Sequence, residues 1–102
     1  MNRIEKLQEF LLQNPADDFL QHALALEYVK IGDDGTALNL FNEILARNPS
    51  YIGSYYHLAK LHERLDDESS AIRTYEKGME ISKGADQHAY NELRAAYEEL
   101  TM

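Results

Sequence analysis

The sequence predicts an all-α fold, a solenoid of about six antiparallel helices wound into an α-α superhelix. Three observations lead there. The two prolines fall in matching dipeptides, Asn14-Pro15 and Asn48-Pro49, set 34 residues apart. A shift of 34 also places Leu24-Ala25 on Leu58-Ala59, Ala37 on Ala71, Leu38 on Ile72, Phe41 on Tyr75, Ile31 on Leu65 and Asp33 on Asp67. Matched chemistry at a fixed period is the mark of stacked supersecondary units. Within each period the apolar residues recur every three or four positions, which suits a helix stripe and not a strand. A chain of 102 residues has room for one domain. The predicted organisation is a single domain over 1–102: a capping helix in 1–14, repeats over 18–51 and 52–85, and a second cap over 86–102.

Residues 2–13 form the first predicted helix, with Ile4, Leu7 and Leu11 on one side and Arg3, Glu5, Lys6, Gln8 and Glu9 largely on the other. It precedes Asn14-Pro15 as the second helix of a unit precedes its terminal proline, and so reads as an unpaired cap on the first full repeat. In that repeat Leu20, Leu24, Tyr28 and Ile31 mark one helix, and Leu38, Phe41 and Leu45, with Ile44 beside them, mark the next. Gly32-Asp33-Asp34-Gly35 lies between. Gly32 suits the left-handed residue that ends a helix, and Asp33 or Asp34 suits the cap of the one that follows. A turn this short makes the two helices antiparallel neighbours.

The second repeat has the same layout: Tyr55, Leu58, His62 and Leu65, then Ala71, Ile72, Tyr75 and Met79. Asp66 replaces the turn glycine, and Asp tolerates left-handed geometry better than most residues, at some strain. Lys83-Gly84-Ala85-Asp86 supplies the next break. A last helix from Gln87 to about Leu100 carries Tyr90, Leu93, Tyr97 and Leu100 inward and a polar outer face that suits a terminal cap.

The spacing and these residues resemble the tetratricopeptide repeat family. Asp18 to Pro49 supplies Leu24, Ala25, Tyr28, Gly32, Ala37, Phe41 and Pro49 of its pattern, and Ile52 to Ala85 supplies Tyr55, Leu58, Ala59, Ala71, Tyr75 and Gly78. The departures are Gln21 for the opening aromatic, Ile44 for the late small residue, His62 for the aromatic of the first helix and Lys83 for the second proline. The resemblance implies a right-handed solenoid whose A helices, the first of each pair, line a concave peptide-binding groove. Projected onto this chain, that groove takes Phe19, His22, Leu26 and Val29 from the first A helix. It takes Tyr56, Lys60, Glu63 and Arg64 from the second, and His88, Asn91 and Ala95 from the last helix. Tyr56 stands beside the core position Tyr55 and so points elsewhere, and tyrosine is enriched at the energetic centres of interfaces. The clamp by which some members of the family hold acidic tails needs Lys and Asn one turn apart on the first A helix. His22 and Leu26 stand there instead, which makes an acidic tail a poor partner.

Ten basic and eighteen acidic side chains leave a net charge of −8. That balance keeps the chain soluble, disfavours nucleic acid and anionic membranes, and favours a basic partner segment through the on-rate. There is no cysteine, hence no disulfide and no thiolate site, and the N-terminus Met1-Asn2-Arg3-Ile4-Glu5-Lys6-Leu7 is not a signal peptide. A cytoplasmic location is the expectation. His57 and His62 diverge around their helix, and His22 with His88 lacks a placed third ligand, so neither pair predicts a metal site. Asp33-Asp34 and Asp66-Asp67 lack the alternation of a calcium loop. With no phosphate loop, nucleophile elbow or acid–base pair, the expectation is a non-enzymatic scaffold without cofactors that binds a protein or peptide partner. The alternative is a self-associating repeat module. The chain is expected to be a monomer or a weak homodimer, since two repeats bury little core.

Overall fold

The structure is a computed structural model and describes residues 2–102. The described residues form six helices and no strand: α1 (Arg3–Gln13), α2 (Asp18–Ile31), α3 (Asp34–Arg47), α4 (Gly53–Arg64), α5 (Glu68–Ser82) and α6 (Gln87–Thr101). They fall into two compact units, one reaching to Asn48 with α1–α3 and one of Pro49–Met102 with α4–α6.

Local chemistry sets the helix ends. Asn2, Asp17, Asp33, Asp67 and Asp86 cap α1, α2, α3, α5 and α6, each side chain accepting from the backbone N–H three residues on. Asp33, rather than Asp34, is thus the cap of α3. It takes both the N–H of Thr36, at 3.3 Å, and its hydroxyl, at 2.9 Å. Asp67 repeats the arrangement with Ser70, and these bonds hold its carboxyl below the usual carboxylate range. Gly32 and Gly84 take the left-handed conformation at helix ends, and Asp66 joins them at φ 59°, the one non-glycine residue to do so among those described. Helix α4 has no side-chain cap. The Tyr55 hydroxyl instead donates to the Pro49 carbonyl at 2.5 Å and ties down the turn that leads into the helix.

In the first unit α1 lies on α2, with Ile4, Leu7 and Leu11 against Leu20, Ala23, Leu24 and Tyr28. Gln8 Nε2 donates to the Tyr28 hydroxyl at 3.2 Å, and Arg3 pairs with Glu27 at 3.3 Å. Between α2 and α3 the fully buried residues are Ala25, Ala37, Phe41 and Ile44. Phe41 with Ile44 and Ala37, not with the half-buried Leu45 and Leu38, is therefore the core of α3. Ile31 is a further correction: it is 64% exposed, at the last position of α2 where the chain turns away at Gly32. Beside this core runs a polar cluster. Asp18 accepts from Arg47 at 2.5 Å and from Asn48 at 2.9 Å. The buried Gln21 accepts from Arg47 at 2.5 Å and donates to Glu43 at 3.3 Å.

The Asn48 and Arg47 hydrogen bonds hold the Asp18 carboxyl below its ordinary range. A depressed carboxylate pKa stabilises the fold above the unfolded value and loses that contribution as pH falls through the folded value. Asp18→Asn is expected to flatten the acid limb of the melting temperature against pH, below about pH 4. An unchanged limb on calorimetry counts against this clasp.

In the second unit α5 packs on both α4 and α6. Its core is Tyr55, Leu58, Ala59, Leu61, Ala71, Tyr75, Leu93 and Ala96, with Gly78, Ser54 and Ser82 buried among them. Leu61 is buried where the stripe expectation placed His62, which is half-buried. Leu65 is 43% exposed at the end of α4. Ala59 and Ala71 are fully buried on paired helices and leave no room for bulk. Ala59→Leu is expected to cost roughly 1–3 kcal/mol by overpacking. A thermal melt without destabilisation would refute this packing.

Candidate functional site

Each unit presents its predicted contact residues separately. On α2, Phe19, His22, Leu26 and Val29 recur at spacings of three and four, so they share one face. The buried Gln21, Ala23, Leu24 and Ala25 occupy other directions. Phe19 is 66% exposed, while His22, Leu26 and Val29 are half-buried. The His22 ring stands edge-on to Phe41, 5.8 Å between centroids at 67°, so its apolar face belongs to the α2–α3 packing. α1 packs against α2 without covering Phe19.

On α4, Tyr56, Lys60 and Glu63 form a connected set. The Lys60 ammonium stands 5.7 Å from the centre of the Tyr56 ring and 3.6 Å from a Glu63 carboxylate oxygen. Tyr75, fully buried on α5, donates its hydroxyl to the same carboxylate. Burial first, and then Glu63, push that phenol far above its ordinary range, so it stays protonated and keeps donating. The neighbouring His57 ring meets Tyr56 edge-on, 5.5 Å away at 89°. Burial lowers the pKa of His57, partly offset by Glu92, and so favours the neutral ring. Arg64 is exposed at the end of α4. On α6, His88 lies 4.0 Å from Glu92, and Asn91 accepts from Gln87 at 2.9 Å. Both are exposed, one turn apart, and Ala95 follows them on the same helix.

The buried phenol is the part that sequence reasoning missed. The signal was present in the 34-residue shift, which sets Glu63 on Val29 and Tyr75 on Phe41. Where the first repeat has two apolar residues, the second has an acid and a phenol. A hydroxyl added to a core aromatic needs an acceptor, and a carboxylate twelve residues before it supplies one. No cluster of three or more His, Asp or Glu among the described residues is placed to hold a metal ion. No helix among them is long and apolar enough to cross a membrane.

Comparison with known proteins adds the family. Residues 52–84 match the model of the tetratricopeptide repeat. The crystal structure of the tetratricopeptide repeat domain protein from Salinibacter ruber is 41% identical to the chain. The match covers 82% of this chain and 94% of that one, with a TM-score of 0.79. The solution NMR structure of a tetratricopeptide repeat domain protein from Salinibacter ruber, also 41% identical, covers 85% and 89% with a TM-score of 0.82. A protein from Bordetella parapertussis, 23% identical, covers 98% and 88% with a TM-score of 0.84 and shares the fold. No curated protein matches the chain. Helix pairs on a 34-residue period, small residues at the helix contacts and a relative of this identity agree on an all-α helical repeat of the kind that scaffolds protein–protein contacts, and the chain belongs to the tetratricopeptide repeat family.

Proposed function

We propose that the chain is a non-enzymatic scaffold that binds a peptide or helix of a partner protein through the open faces of its A helices. In the first unit the contact residues are Phe19, His22, Leu26 and Val29 on α2; in the second they are Tyr56, Lys60, Glu63 and Arg64 on α4, with His88 and Asn91 on α6. The observation that carries the reading is the Tyr56–Lys60–Glu63 set. A half-buried tyrosine, held beside a lysine whose countercharge is anchored on a buried phenol, offers an ordered amphipathic surface at low entropic cost. The exposed ring of Phe19 supports it from the first unit, since a large apolar side chain in water gains by being covered. The acidic balance of the chain favours a partner segment with positive charge.

Affinity capture from native lysate with the wild-type chain identifies the partner, and the double variant Tyr56→Ala/Lys60→Ala tests the site. Capture is expected to weaken at least tenfold, about 1.4 kcal/mol, with helicity unchanged by circular dichroism. Undiminished capture by that variant would remove α4 from the binding face.

A further inference from the structure

A second surface lies on the first unit, along α1. Helix α1 borders an open groove of about 640 Å³ whose apolar residues are Leu11, Leu12 and Pro15 and whose rim carries Glu5 and Glu9. Gln21, buried against Glu43 and Arg47 of α3, closes one side. Leu12 is 84% exposed on a helix that already has a full inward stripe in Ile4, Leu7 and Leu11, so packing on α2 does not account for it.

The charges around the groove are one-sided. The chain up to Asn48 carries eight carboxylates and four Lys or Arg side chains. Arg3 and Lys30 are engaged by Glu27, and Arg47 by Asp18, while Lys6, the fourth, lies on α1 between Glu5 and Glu9 but does not line the groove. No cation among the described residues pairs with Glu5 or Glu9. Apolar side chains beside carboxylates that no described cation pairs complement an apolar side chain flanked by cations. The span from Glu5 to Leu12 is two helical turns, about 10 Å, enough to seat one stripe of a helix. A second copy of the chain would bring its own excess of negative charge, which disfavours it as the occupant.

We propose that this groove is a second docking site, for an amphipathic helix of another protein whose leucine-type side chains are bordered by lysine or arginine. The groove shares no lining residue with the A-helix contact sets, so it is a separate site for a second partner.

The test uses the full chain, labelled with ¹⁵N, and a synthetic helical peptide of alanine, leucine and lysine with one leucine stripe bordered by lysines. Amide shifts are expected in the Glu5–Pro15 stretch and at Gln21. Affinity is expected to fall about tenfold in Leu12→Gln, and again in Glu5→Gln/Glu9→Gln, while Tyr56→Ala binds as wild type does. The carboxylate variant decides the matter if Leu12→Gln lowers the melt. Shifts centred on Tyr56 and Lys60, equal binding by both groove variants, or a doubled mass in light scattering that Leu12→Gln abolishes would each overturn the proposal, the last by assigning the groove to a second copy.

Discussion

Gly78→Val is expected to lower the stability of the protein by about 3 kcal/mol, the upper end of the overpacking range, and its melt by at least about 10 °C. A Cβ at this position falls 2.7 Å from the Tyr55 Cβ, 3.0 Å from a Leu93 methyl and 3.1 Å from the Tyr55 Cγ. Carbon atoms in contact sit at about 3.5–4.0 Å, so α5 has to move off α4 and α6 to admit even a methyl group. Valine adds two further carbons with little rotamer freedom. Intrinsic propensity runs the other way, since glycine inside a helix is worse than alanine by about 1 kcal/mol. Gly35, in the first turn of α3, has open space where its Cβ would stand. Gly35→Ala is therefore the control, expected to be neutral or stabilising by up to about 1 kcal/mol. Equal melts for the two glycine variants would show that the close approach at Gly78 is not real.

The second large effect is expected at Tyr75. Tyr75→Ala empties a fully buried position and is expected to cost about 3–5 kcal/mol. Tyr75→Phe keeps the ring and removes only the hydroxyl that Glu63 accepts, with an expected cost of about 1 kcal/mol. Lys60 remains 3.6 Å from that carboxylate, which limits the loss. The pair of variants separates ring from hydroxyl. The alkaline limb provides a second readout. The folded phenol titrates above its ordinary value, so the unfolded chain releases its proton first, and stability falls as pH rises through about 10. Tyr75→Phe is expected to shallow that fall in a series of melts. A Phe variant as unstable as the Ala variant, or one with an unaltered alkaline limb, would contradict the burial of the hydroxyl on Glu63.

The helices were legible because their signals are local. The apolar spacing, the Gly32 stop and the cap at the start of α3 lie within a few residues of the features they control, and the 34-residue period repeats them. The left-handed Asp66 was legible for the same reason, as it stands where the first repeat has Gly32 plus the period. Tyr56 and Lys60 were legible as neighbours one turn apart. What escaped depends on distant partners. Gln21 and Ile44 each read as a lone departure from the repeat pattern, yet both are buried, on α2 and on α3. Their counterparts one period on are Tyr55 and Gly78, which meet. One repeat has a polar chain and an aliphatic one at these two positions, and the other sets a ring against a residue with no side chain. The exposure of Ile31 and Leu65 escaped for a related reason. Apolar character marks a residue that can be buried, whereas helix ends and neighbouring helices decide whether it is.

The Tyr55–Gly78 fit has a corollary for how such a chain can change. A glycine cradle is useless without the ring that fills it, and the ring is a collision without the cradle. Single letters therefore cannot be copied freely between the two halves, whereas α4 and α5 moved together keep the ring with its cradle and need only a neighbour to stand where Leu93 does. Crossovers that cut between hairpins preserve such matched sets, and crossovers inside one scramble them. Exchange of parts in this protein is therefore expected to be tolerated by the helix set and not by the residue.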